Sequence, residues 1–562
     1  MTRHCDCPCS CERSVGCGCY PQSDDHCNVE VLKPPVREFR LPALQEPLMS
    51  QARAKATGHG NKRMGFAAPT LPILPSPKPI EMLKSPSVMP VPYKDVLNPS
   101  TEGKLWSSPS FPIKRGLVLL CHGKNDFIST TAFETVWNYL GNCLAANGFL
   151  VASIRHFKDG SGTAADRFIN NLKFLMKGLV QKHGALGKPL ALLGQSEGAM
   201  GAIRAGQRIS DGEIAQLFSK VDAVVALAPS ISANEPIPDF SESALSMLVL
   251  QGTHDGDSPA GGVSLLHYLS SAAQLKSFCW IFGGSHANFL QGAADKDAFI
   301  VKQGGFGLRV INPKTQWLIT QNYVGMFLLW RLAGQKAFKG LFVGEAAVTW
   351  KAGVEKAIQS DLDNEKVRIE PRYDTRRGSF PLSAKSAPAA VHFSGFSTVS
   401  TFKPLQILNT SLPHEDTSGF IATWQTEPGD PPPRISVDCD NISTLAKSYA
   451  AIEFQAVLVA NSALNDLAPP PSPILVSASA VHANGFSKSV QILIEPSLFV
   501  PALLASDMSN VSRSMLSTVR IPVLLFGLSD GQLKTVKTFR LVFHTAPTEG
   551  AIAITGFRAA LE

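Results

Sequence analysis

The stretch Pro189-Leu190-Ala191-Leu192-Leu193-Gly194-Gln195-Ser196-Glu197-Gly198-Ala199-Met200-Gly201-Ala202 decides the fold of the first half of this chain. An apolar run followed by glycines and small residues predicts a short buried strand that turns directly into a helix. Side chains at Gly194 and Gly198 would clash where strand and helix come together. Gly-x-Ser-x-Gly in this setting is the pattern of a nucleophile elbow, a strained turn that lifts a serine hydroxyl above the sheet.

The same pattern occurs a second time, at Gly527-Leu528-Ser529-Asp530-Gly531. A strand-like run, residues 519–526, precedes it, but a second β-rich run at 539–543 follows instead of a helix of small residues. No aspartate lies downstream of this copy. We therefore interpret it as a hairpin loop and Ser529 as an ordinary loop residue.

Length and composition describe a globular protein with more than one domain. The chain has 562 residues, 44% of them hydrophobic and 17% charged, and this length exceeds that of a single core. The net charge of +7 is scattered rather than concentrated in a basic stripe, so a nucleic-acid binder is not indicated. No apolar stretch reaches the roughly eighteen residues that a transmembrane helix needs.

The first residues show no secretory leader, which needs a basic start followed by an apolar core. The sequence as written therefore predicts a cytoplasmic protein, whereas a different functional start would leave secretion open. Seven of the eleven cysteines lie in this region, and they are Cys5, Cys7, Cys9, Cys11, Cys17, Cys19 and Cys27. Cys-x-Cys spacing can bind a soft metal through thiolates, but it does not match the Cys-x-x-Cys pairs of structural zinc sites. We predict a disordered tail without a defined metal site, with a metal-handling protein as the alternative.

Four regions follow from the pattern along the chain. Residues 1–100 are Cys-rich and then Pro-rich, which predicts a disordered tail. In residues 101–355 apolar strands alternate with helices, which predicts a mostly parallel sheet covered by helices on both faces. Residues 356–384 are predicted to be a linker. Residues 385–562 hold many short β-rich segments separated by turn residues, which predicts an all-β sandwich or jelly roll.

A serine nucleophile needs a histidine base and an acid that orients it, both in loops that follow strands. The predicted strand 247–250 leads into Asp255, our candidate for the acid, with Asp257 as its competitor. The predicted strand 278–282 leads through a glycine turn into His286, our candidate for the base. His267 lies in an amphipathic helical pattern and is interpreted as structural.

The reaction also needs two N–H donors for the oxyanion. One is expected from the residue after the nucleophile, Glu197. The other is expected from the loop after the early strand that ends in His122-Gly123, with the N–H of Lys124 as first choice and that of Asn125 as second. We expect the His122 imidazole to brace this loop.

Together these motifs resemble the α/β-hydrolase superfamily. The elbow, the loop Asp255-Gly256-Asp257 and the loop His286-Ala287-Asn288-Phe289 are similar to those of its chlorophyllase, platelet-activating-factor acetylhydrolase and bacterial cutinase-like branch. The resemblance covers residues 105–350 strongly and 385–562 moderately, and it implies an α/β-hydrolase domain followed by a C-terminal jelly roll. Members often carry His before the serine and Arg, Met or Tyr after it, whereas this chain has Gln195 and Glu197.

The expected function is a serine esterase with the triad Ser196, His286 and Asp255, which needs no metal and no organic cofactor. The substrate would be a lipid-like or polyester ester, small or polymeric, and the sandwich would bind a glycan or polymer surface. All three triad candidates precede residue 290, so a piece ending near residue 355 is expected to keep activity on small esters. The alternative is a non-catalytic carbohydrate- or surface-binding protein with a degenerate hydrolase domain.

Overall fold

The architecture is taken from a computed structural model of the chain. It describes residues 91–94, 102–107, 115–123, 135–154, 163–175, 187–213, 221–230, 245–252, 255, 273, 275–281, 283–292, 310–343, 369–374, 379–383, 385, 387–402, 419–440, 451–458, 474–494, 517–544 and 549–560.

A nine-stranded mixed sheet organises the first part of the described chain. Its strands are β1 (Val91–Lys94), β2 (Glu102–Trp106), β3 (Leu117–Cys121), β4 (Leu150–Ile154), β5 (Leu190–Gln195), β6 (Ala223–Leu227), β7 (Ser246–Gly252), β8 (Leu275–Ile281) and β9 (Ile369–Asp374). They lie in the order β1-β2-β4-β3-β5-β6-β7-β8-β9. The six strands from β4 to β8 run parallel, and β1, β2 and β9 are joined by antiparallel pairings.

Helices cover both faces of this sheet, as its fully buried apolar strands require. They are α1 (Asn138–Ala146), α2 (Ala164–Leu175), α3 (Glu197–Ser210), α4 (Pro313–Arg331) and α5 (Lys339–Val343). On one face α2 and α3 bury residues such as Phe168 and Ile203 in one core, and on the other α1 and α4 bury Leu144 and Phe327 in a second core. The predicted parallel sheet between helices is thereby confirmed.

Two antiparallel sheets make up the rest of the described chain. Their strands are β10 (Ser379–Pro381), β11 (Val391–Ser394), β12 (Thr398–Phe402), β13 (Gly419–Gln425), β14 (Arg434–Asp438), β15 (Ala451–Leu458), β16 (Ile474–His482), β17 (Ser487–Ile494), β18 (Ser517–Pro522), β19 (Val536–Val542) and β20 (Glu549–Ala560). One sheet has the order β12-β13-β20-β15-β18, with β10 also paired to β20, and the other has the order β11-β14-β19-β16-β17. Both contribute to one core, for example through Phe454 and Phe539, an arrangement compatible with a β-sandwich. Two short helices, α6 (Ala387–Ala390) and α7 (Asp530–Leu533), accompany these sheets.

The structure differs from the predicted regions in three segments, one of which is β10 (Ser379–Pro381), predicted as linker but paired with β20. Residues 91–94, predicted as tail, form β1, which pairs with β2. Residues 369–374, predicted as linker, form β9, which pairs with β8 along its whole length. β9 has the sequence Ile-Glu-Pro-Arg-Tyr-Asp, whose proline and charges are typical of a loop. An edge strand tolerates both, so this strand could be mistaken for a linker.

The second Gly-x-Ser-x-Gly copy does not lie in a hairpin, contrary to our interpretation. The predicted strand 519–526 ends at Pro522, and a 3-10 helix, Val523–Phe526, follows it. β18 and β19, on either side of this copy, belong to different sheets. The copy lies in a connection between sheets.

In the described part of the chain, no helix combines the length and apolarity needed to cross a bilayer. Cys121, Cys143, Cys279 and Cys439 are buried free thiols. The cysteine-rich residues 1–27 lie outside the described residues.

Candidate active site

Ser196 lies at the turn between β5 and α3, and its backbone has a conformation that residues other than glycine rarely adopt. Its backbone has φ 56° and ψ −126°. Its N–H donates to the carbonyl oxygen of Leu227 in the neighbouring strand at 2.9 Å. A non-glycine residue held at positive φ is strained, so the surrounding bonds must keep it there.

The glycines that flank Ser196 lie where we expected clashes. A Cβ on Gly194 would come within 2.1 Å of the carbonyl oxygen of Gly198, and one on Gly198 within 2.5 Å of that of Cys121. At the second copy of the motif, a Cβ on Gly531 would meet nothing within 4 Å. The exposed Ser529 there caps α7, because its Oγ accepts from the N–H of Gln532 at 3.3 Å. The two copies are therefore structurally unrelated.

The structure brings Asp255 and His286 together. Asp255 follows β7 and is fully buried, and its Oδ2 lies 2.9 Å from His286 Nδ1. The same oxygen accepts from Gln251 Nε2 at 2.7 Å. A carboxylate beside Nδ1 favours the tautomer that carries its proton there, which leaves Nε2 as the nitrogen that can take a proton. The competing candidate Asp257 lies outside the described residues, as does His267.

The loop that carries His286 is held from two sides. The backbone N–H of Ser285 donates to Gln316 Oε1 at 3.0 Å, and Gln316 Nε2 donates back to the Ser285 carbonyl at 2.8 Å. On the other side, a Cβ on Gly252 would come within 2.2 Å of the Gly284 carbonyl oxygen. The acid and base loops are therefore in direct backbone contact, and α4 fixes the base loop through a buried glutamine.

Gln195, just before the serine, joins the elbow to two other loops. Its Nε2 donates to the His286 carbonyl oxygen at 3.3 Å, and its Oε1 accepts from the N–H of Gly123 at 3.3 Å. Sequence reasoning assigned no role to Gln195, Gln251 or Gln316. The sequence does not indicate which groups a glutamine side chain will bind, because these contacts join segments up to 91 residues apart.

The predicted oxyanion donors lie partly within the described residues. Glu197 is the first residue of α3, and N–H groups in a first turn have no acceptor within their helix. Gly123 N–H is already engaged by Gln195, and His122 Nδ1 lies 2.8 Å from the Gly123 carbonyl oxygen, in keeping with a bracing role. Lys124 and Asn125 lie outside the described residues.

No cluster of three or more His, Cys, Asp or Glu side chains suited to a metal ion occurs among the described residues. Comparison of the sequence with models of protein families and with curated proteins finds no match to this chain.

Proposed function

We propose that this chain is a serine hydrolase of the α/β-hydrolase type that cleaves carboxylic esters through an acyl-enzyme. In this proposal the two antiparallel sheets are a jelly roll, and the nearest resemblance is to the chlorophyllase, platelet-activating-factor acetylhydrolase and bacterial cutinase-like branch. Support comes from the mostly parallel sheet and from the order Ser196, Asp255, His286 along the chain, at the carboxyl ends of β5, β7 and β8.

The observation that carries the proposal is the 2.9 Å contact between Asp255 Oδ2 and His286 Nδ1. The carboxylate of Asp255 is fully buried, and it needs a hydrogen-bonded partner there because removing its charge from water is costly. The bond from Gln195 to the His286 carbonyl further supports it, since it ties the base loop to the residue beside the strained serine. Strained backbone of this kind is concentrated at functional sites.

The proposed chemistry assigns one step to each of these residues. Ser196 Oγ attacks the ester carbonyl carbon while its proton passes to His286 Nε2, and the resulting imidazolium is stabilised by Asp255. The oxyanion is stabilised by backbone N–H groups, those of Glu197 and Lys124. His286 then protonates the departing alkoxide, and the alcohol leaves an acyl group on Ser196. Water, deprotonated by His286, releases the acid and restores the serine.

Labelling with a fluorophosphonate probe tests the proposal directly, because the probe phosphonylates only an activated serine. Wild-type protein should be labelled and should hydrolyse p-nitrophenyl esters. Ser196→Ala should abolish labelling and lower kcat by about 10⁴-fold or more, as removal of a triad nucleophile does. Ser529→Ala, the matched control in the second copy of the motif, should change neither. Wild-type protein that is folded but unlabelled would favour a non-catalytic surface-binding protein.

The substrate class in this proposal is a lipid-like or polyester ester. A series of p-nitrophenyl esters of increasing acyl length would measure the preference. Comparing the full chain with a piece that lacks the two antiparallel sheets, on a soluble ester and on an insoluble polyester, would show whether those sheets anchor the protein to a polymer.

A further inference from the structure

The carboxamide of Gln195 is buried between three segments of the site. The residue is 2% exposed, and its two ends contact the His286 carbonyl oxygen and the Gly123 N–H, each at 3.3 Å. Because an amide has one donating and one accepting end, these two partners fix its orientation.

Both partners belong to segments that the proposed reaction must align with Ser196. His286 is the proposed base, and Gly123 directly precedes Lys124, a proposed oxyanion donor. The segment that contains Gly123 also packs directly against the nucleophile, because a Cβ on Gly123 would come within 2.5 Å of Ser196 Cβ. Misplacement of reacting groups by about 1 Å can cost on the order of 10²-fold in rate.

We propose that Gln195 is a positioning residue that holds the base loop and the oxyanion-side loop in register with the nucleophile. This inference rests on the proposed esterase function. In the branch that the sequence motifs resemble, the position before the serine often holds His, and this chain has Gln195 there. A backbone carbonyl and a backbone N–H are available at this site whatever the side chains around them, so the amide can couple the two loops without contacting substrate.

Gln195→Met in the full chain removes both bonds at nearly constant volume. We expect kcat on a p-nitrophenyl ester to fall by about tenfold or more with KM within about threefold, the pattern of a lost transition-state alignment. The rate of fluorophosphonate labelling should fall in parallel. Gln321→Met is the matched control, because Gln321 is a buried glutamine whose Nε2 donates to the Tyr139 carbonyl at 2.7 Å. Its kcat should stay within twofold of wild type.

Gln195→Glu separates positioning from a general structural role. The introduced carboxyl group keeps an acceptor for Gly123, and when protonated it can also donate to the His286 carbonyl. When ionised it repels that carbonyl, and burial raises the pKa of a carboxyl group toward neutrality. The ratio of Q195E to wild-type kcat should therefore fall as pH rises from 5.5 to 8.5. Dividing by wild type removes the pH dependence that is common to both proteins.

The outcomes distinguish this inference from the function on which it rests. A wild-type protein that is neither labelled nor active overturns the esterase proposal itself. An active wild type, with folded Q195M at wild-type kcat or a Q195E ratio that is flat with pH, overturns the role of Gln195 alone. If Q195M fails to fold, the Q195E pH series decides.

Discussion

Gly252 and Gly284 lie so close that a Cβ on Gly252 would come within 2.2 Å of the Gly284 carbonyl oxygen. Gly252 ends β7, three residues before Asp255, and Gly284 lies two residues before His286. The contact between the acid and the base is therefore built on a contact between two backbones, which only glycine allows.

Gly252→Ala should push these loops apart. Overpacking against a fixed backbone typically costs about 1–3 kcal/mol of folding free energy, and the displaced acid should also lower kcat. Urea denaturation and ester hydrolysis would measure both effects. Gly531→Ala, where a Cβ would meet nothing within 4 Å, is the control and should alter neither. A G252A protein with wild-type stability and kcat would contradict the backbone contact.

Asp255→Asn should lower kcat by about 10⁴-fold, the scale typical of a triad aspartate, because asparagine favours the wrong tautomer of His286. KM should change little, since Asp255 is fully buried and does not line a surface that substrate could reach. Asp257→Asn in the same loop should cost less than tenfold. The reverse ranking of the two variants would assign the acid to Asp257.

An ion pair between α2 and α3 predicts a pH-dependent stability. A hydrogen bond from Arg208, with Nη1 to Oδ1 at 2.5 Å, lowers the pKa of Asp166 to about 2, and bonds from Thr163 add to the effect. A lowered folded-state pKa means that the stabilisation is present above the unfolded value of about 4 and is lost as pH falls toward 2.

Asp166→Asn should therefore destabilise the protein at pH 7 and not near pH 2. We expect only about 0.5–1 kcal/mol, because the two side chains are 33% and 38% exposed and solvent screens the pair. Urea denaturation at pH 7, 4 and 2.5 would measure it. Asp211→Asn, directly after α3, the helix that carries Arg208, should have no effect at any of these pH values. A constant difference for D166N across the series would refute the ion-pair origin.

The position of β9 changes where the chain should be cut to isolate the part that contains the nine-stranded sheet. β9 covers the edge of β8, the strand that leads to His286, and Asp374 lies opposite the fully buried Lys276. A piece ending at residue 355 loses this strand and exposes β8 as an edge, which favours aggregation. We expect residues 91–377 to hydrolyse a small soluble ester within about tenfold of the full chain, and residues 91–355 to be mostly insoluble or inactive. Equal activity of both pieces would show that β9 is dispensable.

The parallel strands and the chain order of the candidate triad could be predicted from the sequence. β3, β5, β6 and β7 are continuous apolar runs, because both of their faces are buried. The edge strands β1 and β9 could not be predicted, because their prolines and charges are those of loops. The roles of Gln195 and Gln316 depend on backbone atoms of distant segments, and no local pattern marks such contacts.

The pairing of β20 has a consequence for the order in which the protein folds during synthesis. β20 pairs with β10, β13 and β15, so it is the central element of its sheet, and it follows every other described strand along the chain. The nine-stranded sheet, in contrast, has all its strands once residue 374 has been made. Domains fold as units, and N-terminal ones fold first. The candidate site should therefore assemble on the nascent chain before β20, the central strand of its own antiparallel sheet, has been made.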